Sequence, residues 1–167
     1  GLSEGLTEIG VNAFLDCKSL TSVTVPSSVT KVGEQAFKMC VALLKVALPD
    51  ALATIGNYVF AACLNLKEVN IPSSLKQLPE GMFHDCCALE EVVIPASSTA
   101  IGINTFHNCQ SLKNVALPAG LTKIGSCAFE WSGLTSVDIP EAVTQIDEKA
   151  FSGCSALNNI TLPSSIS

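Results

Sequence analysis

Two stretches of this chain carry side chains with chemistry to offer: Phe83-His84-Asp85-Cys86 and Phe106-His107-Asn108-Cys109. A cysteine near a histidine is the raw material of a thiol nucleophile and its base, and two histidines with an aspartate are the raw material of a metal site. The two stretches lie 23 residues apart, and the same step links Cys17, Cys40, Cys63, Cys86 and Cys109, with Cys154 in the same column further on. Such spacing is nothing like the Cys-x-x-Cys pairs of zinc and redox sites. Cys87 and Cys127 stand outside the series.

The elements that must position these residues repeat with the same period. Phe14, Phe37, Phe60, Phe83, Phe106, Phe129 and Phe151 are separated by five gaps of 23 residues and one of 22. Pro26, Pro49, Pro72, Pro95, Pro118, Pro140 and Pro163 keep the step, with the deletion falling before Pro140. A fixed period of this size marks a solenoid, in which each coil buries its apolar face against its neighbours. Each unit divides into three parts. Leu-x-x-Val-x-Val, as in Leu20 to Val25, alternates and is β-branched, and so reads as a short strand that proline then ends. Ser-Ser or Ala-Gly makes a turn. A segment such as Val29 to Cys40 then brings two aliphatics, a glycine bend and a short helical turn carrying Ala36, Phe37 and Cys40 inward. The reading is an α/β solenoid of about seven coils spanning residues 1–167, one domain and a segment of a longer array.

Stacking places equivalent residues about 4.8 Å apart in columns of phenylalanine, cysteine, leucine and valine. The column cysteines are read as small buried thiols, reduced, with parallel side-chain vectors poorly set for a disulfide. In a helical turn, residues two apart point roughly 200° apart, so an inward Cys86 leaves His84 outward and breaks the cysteine–histidine pairing. His84 and His107 are then a solvated pair on the outer surface, although with Asp85 they keep the makings of a metal site. No catalytic, cofactor or metal residue is assigned. Three irregularities fall in the second half: Ser98 in an apolar column, Pro79 in a glycine column, and Ser132 in the cysteine column beside Trp131 and the deletion.

Composition narrows the classes of partner. Nine lysines and no arginine stand against fifteen acidic residues, for a net charge of −6. An acidic chain without arginine is poorly suited to phosphate backbones, so no nucleic acid is expected. No apolar run approaches the roughly 18 residues of a membrane span. The outward strand positions of the middle coils hold nearly all the charge on that face, and the candidate partner-binding residues are Lys45, Lys67, Glu68, Asn70, Glu90, Glu91, Lys113 and Asn114. Glu68 and Glu91 fall on neighbouring strands as like charges, an unfavourable pair unless Lys45 or a partner relieves it.

The repeat Ile-Gly-x-x-Ala-Phe-x-x-Cys-x-x-Leu-x-x-Val-x-Leu-Pro resembles the BspA-like (Treponema-type) leucine-rich repeats over essentially the whole chain. The resemblance implies a right-handed solenoid with short parallel strands on one face and turns or short helical turns on the other. It also implies a cell-surface or secreted protein used in adhesion and protein binding, with no catalytic motif and no cofactor. Gly1 and Ser167 fall in mid-pattern without capping repeats, so packing through uncapped ends is expected. The alternative function is a structural scaffold subunit inside a larger multi-protein assembly, with an intracellular complex left open.

Overall fold

The computed structural model describes residues 2, 3 and 5–164. The chain ends at Gly1 and Ser167, on which the expectation of uncapped ends rests, lie outside the described residues. The architecture is a parallel β-solenoid of about seven coils. Two strands form in each of the first three and the last two coils, not one, and a single strand in the fourth and fifth. Just before the glycine bend come β1 (Glu8–Ile9), β3 (Lys31–Val32), β5 (Thr54–Ile55), β7 (Gln77–Leu78), β8 (Ala100–Ile101), β9 (Lys123–Ile124) and β11 (Gln145–Ile146). On the Leu-x-x-Val-x-Val side come β2 (Ser22–Thr24), β4 (Lys45–Ala47), β6 (Glu68–Val69), β10 (Ser136–Asp138) and β12 (Asn159–Thr161). All pairing is parallel, and register follows the repeat, as in Val23 opposite Val46 and Val46 opposite Val69.

The third side corrects the α/β label and the helical turns expected there. Among the described residues there is no helix. An α-helix would spend every N–H on the carbonyl four residues back. Here alternate residues turn locally, as Lys38 N–H donates to Gln35 O, while those between donate across to the next coil. Gln35, Phe37 and Met39 give their N–H groups to Asn57, Val59 and Ala61 at 2.8–2.9 Å. Three such bonds occur at each of the six coil-to-coil steps, all donated in the same sense along the stack. To aim three N–H groups one way, the residues two before and two after each phenylalanine adopt left-handed backbone, as Tyr58 (φ 54°) and Ala62 (φ 57°) do around Phe60. The conformation costs roughly 1–2 kcal/mol for a residue with a Cβ, and the crossing bonds offset it.

The core lies within the three sides. Phe37, Phe60, Phe83, Phe106 and Phe129 are fully buried. Consecutive rings in the column stack with centroids 5.1–5.9 Å apart, close to parallel. The cysteine column is more than filler. Cys63, Cys86 and Cys109 each donate S–H to the carbonyl of the phenylalanine one coil back, at 3.2 Å, to Phe37, Phe60 and Phe83. All eight cysteines are free, and Cys17, on the first coil, is exposed. Burial pushes the Cys63 thiol up to about 12 and those of Cys86 and Cys109 well above their usual range.

The irregular residues have local solutions. Ser98 is buried and donates its hydroxyl to Leu75 O at 3.0 Å, so the polar group in the apolar column is satisfied. Ser132 Oγ sits 3.3 Å from Cys154 Sγ. Pro79 is different. In the glycine column Gly33, Gly56, Gly102 and Gly125 donate N–H to the preceding strand, and a Cβ on Gly102 would lie 2.6 Å from Leu78 O. Proline has no N–H to give. The ladder accordingly divides there into β1-β3-β5 and β7-β8-β9-β11.

Candidate functional site

The opposite strand ladder is also interrupted, and at the same level. β2, β4 and β6 pair in order, β10 pairs β12, and between them among the described residues a single bridge joins Val93 to Ala116. Asn70 shortens the ladder just before the first break. Its side-chain amide takes both backbone groups of Leu48, accepting from the N–H at 2.8 Å and donating to the carbonyl at 2.7 Å. Strand pairing between β4 and β6 therefore stops at Val46–Val69. Beyond it the fourth coil presents Glu90-Glu91-Val92-Val93 without a ladder partner on the β6 side.

A shallow groove of about 540 Å³ lies over this break, lined by Lys45, Lys67, Glu68, Asn70 and the run Glu90 to Val93. A second of about 620 Å³ continues it past Glu91 and Val93 to Lys113, Asn114 and Ala116. The eight candidate residues therefore do line one continuous surface, but they are not equally available. Lys45 Nζ meets Glu68 Oε2 at 2.7 Å, and this bond and charge hold the Glu68 carboxyl below its usual value. Lys67 Nζ stands 3.9 Å from Glu90 Oε1. Asn70 is committed to Leu48, and Lys113 Nζ donates to Gln110 O at 3.3 Å. Glu91 has no ion pair among the described residues. Val93, which the candidate set omits, is an isolated apolar side chain 81% exposed between the two halves of the groove. Its position opposite inward Val92 was readable from the alternation of the strand.

On the turn side the histidines are not the solvated outward pair that helical geometry demands. His84 and His107 stack face to face, centroids 4.5 Å apart and 6° from parallel, with side chains 29% and 23% exposed. The Tyr58 ring leans on His84 at 6.1 Å. His84 Nδ1 is 3.1 Å from Asp85 Oδ2, and Asn108 donates to Asp85 Oδ1 at 2.8 Å. Glu130 Oε2 is 3.6 Å from His107 Nε2, and Tyr58 donates its hydroxyl to Glu80 at 2.7 Å. The thiols are not part of a nucleophilic pair: Cys86 points inward, its S–H held by Phe60 O, with burial opposing the thiolate that reactivity needs. Trp131, beside the deletion, is 58% exposed and lies across Gly153 of the next coil.

With this geometry in hand the class is that of leucine-rich repeat solenoids. The chain belongs to the BspA type leucine rich repeat region family, whose model matches in six copies over residues 1–97 and 76–167. It is similar to the crystal structure of a leucine rich cell surface protein from Faecalibacterium prausnitzii, at 36% identity and a TM-score of 0.85, covering 93% of this chain and 42% of that one. A leucine-rich repeat protein from Eubacterium ventriosum is 28% identical with a TM-score of 0.83, covering 96% of this chain and 45% of that one. The T. pallidum leucine rich repeat protein is 32% identical with a TM-score of 0.63, covering 97% and 67% respectively. The chain thus spans less than half the length of the first two. No curated protein matches it. Among the described residues no helix is long and apolar enough to cross a membrane.

Proposed function

We propose that the chain is a non-catalytic protein-binding module, one stretch of a longer repeat array in an adhesin-like surface or secreted protein. The groove over Glu90 to Val93 carries this reading: an exposed valine framed by lysines and glutamates on a surface relieved of ladder pairing. An apolar centre inside a charged rim is the anatomy of a modest protein contact. Likeness to a protein described as a cell surface protein supports the setting.

The partner chemistry that fits is a segment offering an apolar side chain to Val93 and a cation to Glu91. The double variant Glu91→Lys with Val93→Asp is expected to abolish binding to host or bacterial surface proteins presented on an array, with the circular dichroism spectrum unchanged. Glu148→Lys serves as the control, since that side chain is 81% exposed on the turn side. Loss of binding in the control and not in the double variant overturns the assignment to the strand side.

A further inference from the structure

We propose that His84, Asp85 and His107 form a binding site for a divalent transition-metal ion of the zinc class, supported by Glu130 and Asn108. This is independent of the strand-face reading and lies on the turn side of the fourth and fifth coils. The backbone puts the ligands together. His84 and His107 each follow a column phenylalanine, and the crossing bond from Asp85 N–H to His107 O at 2.9 Å locks the two coils in register there. One nitrogen or oxygen atom from each of the three side chains lies within 4.8 Å of the others.

One atom in the cluster calls for an occupant. His107 Nδ1 is buried and has no hydrogen-bond partner. The Glu130 carboxylate stands on the far side of the ring, 3.6 Å from Nε2, where its charge favours the ring proton on that nitrogen. Nδ1 is then left as a bare lone pair out of reach of water, a costly arrangement for a polar atom. A carboxylate behind a histidine, fixing the tautomer and leaving the other nitrogen free, is the supporting arrangement found behind metal-bound histidines. Asp85 is oriented likewise, since Asn108 holds Oδ1 and leaves Oδ2 facing the imidazoles, and Asn108 is itself held by Gln110 at 2.9 Å.

The donor set defines the ion. Two imidazole nitrogens and one carboxylate oxygen suit zinc, nickel or copper and not calcium or magnesium, which take oxygen ligands. Tetrahedral ligands bound at about 2.0–2.1 Å stand roughly 3.4 Å apart, so the cluster closes by up to about 1.4 Å to grip an ion, and the two rings swing off their parallel stack to aim both nitrogens at it. Three protein ligands leave the fourth position to water, which reaches the ion as the rings swing outward to bind it.

The test starts from the chelator-treated protein in a phosphine reductant and titrates it with Co²⁺, followed by Zn²⁺ competition. The expected result is one Co²⁺ per chain, with visible d–d absorption and no thiolate-to-cobalt charge-transfer band. His107→Asn should abolish stoichiometric binding, and Glu130→Gln should weaken it by about 10–100-fold with the fold intact by circular dichroism. Should His107→Asn misfold, the wild-type protein still decides: zinc must shift the ¹⁵N resonance of His107 Nδ1 and leave Nε2 protonated. No binding in the micromolar range, a thiolate band, binding indifferent to both variants, or an unmoved His107 Nδ1 would each overturn the proposal.

Discussion

The turn side and the strand side of this solenoid are built on opposite terms. At every step the turn side makes three crossing backbone bonds, through the deletion and past Pro79 alike. The strand side keeps a ladder over three coils, loses it across the fourth and fifth apart from one bridge, and resumes it at β10 and β12. Cohesion therefore belongs to the turn side and the phenylalanine and cysteine columns beneath it. The strand side is free to trade pairing for an open surface, and it does so where charge and Val93 gather.

The comparison is broken most forcefully from inside. Phe83→Ala is expected to destabilise by about 3–5 kcal/mol in chemical denaturation, since it empties a site between two stacked rings. A loss below about 1 kcal/mol would mean the column does not hold the coils together. A second test of the same columns is in alkali. Cys63, Cys86 and Cys109 are raised in the folded state above the reference of 9.0, Cys63 to about 12. Above pH 9 the unfolded chain ionises these thiols while the folded chain keeps them protonated. Stability is thus complete below pH 9 and falls as pH rises toward 12, by about 1.4 kcal/mol per pH unit for each thiol. Replacing the three by alanine should flatten that limb of the pH–stability curve, and an unchanged slope would place the thiols elsewhere.

Two smaller changes sharpen the contrast. Asn70→Ala strips Leu48 of both its hydrogen bonds and should cost about 1–2 kcal/mol, read from the urea midpoint. No cost would show that solvent serves Leu48 as well. Ala62→Gly relieves left-handed backbone at a residue with a Cβ and should stabilise by about 1 kcal/mol. At the bottom of the scale, Val93→Ser is expected to leave the unfolding free energy unchanged within about 0.5 kcal/mol, read from the urea midpoint, as for any exposed position. A larger loss would make the strand face structural.

The coils, their register and the phenylalanine column were legible because a 23-residue period leaves no other way to bury those rings. The turn side was misread for a specific reason. Ala-Phe-x-x-Cys mimics helical spacing, while left-handed residues such as Gln35, Met39, Tyr58 and Trp131 carry no sign of that backbone. The sign was present elsewhere, in Asn12, Asp16, Gly81, Asp85, Asn104, Asn108 and Gly153, which recur two residues either side of phenylalanine. Reading them as left-handed would have removed the helix and, with it, the argument that drove His84 away from its neighbours. The second strand escaped because it is two residues long and overlaps the approach to the glycine bend. Asn70 gave no warning at all, since a side chain that stands in for a strand residue looks like any outward polar position.

The crossing bonds of the turn side have one further consequence. Because all three at each step are donated toward the later coil, their peptide dipoles add along the stack, whereas the alternating bonds of the strand ladders cancel. The turn side is therefore electrically polar along the stack, each coil turning carbonyls toward the coil before it and N–H groups toward the coil after it. The direction in which one coil receives the next is thus written into the backbone before any side chain is consulted.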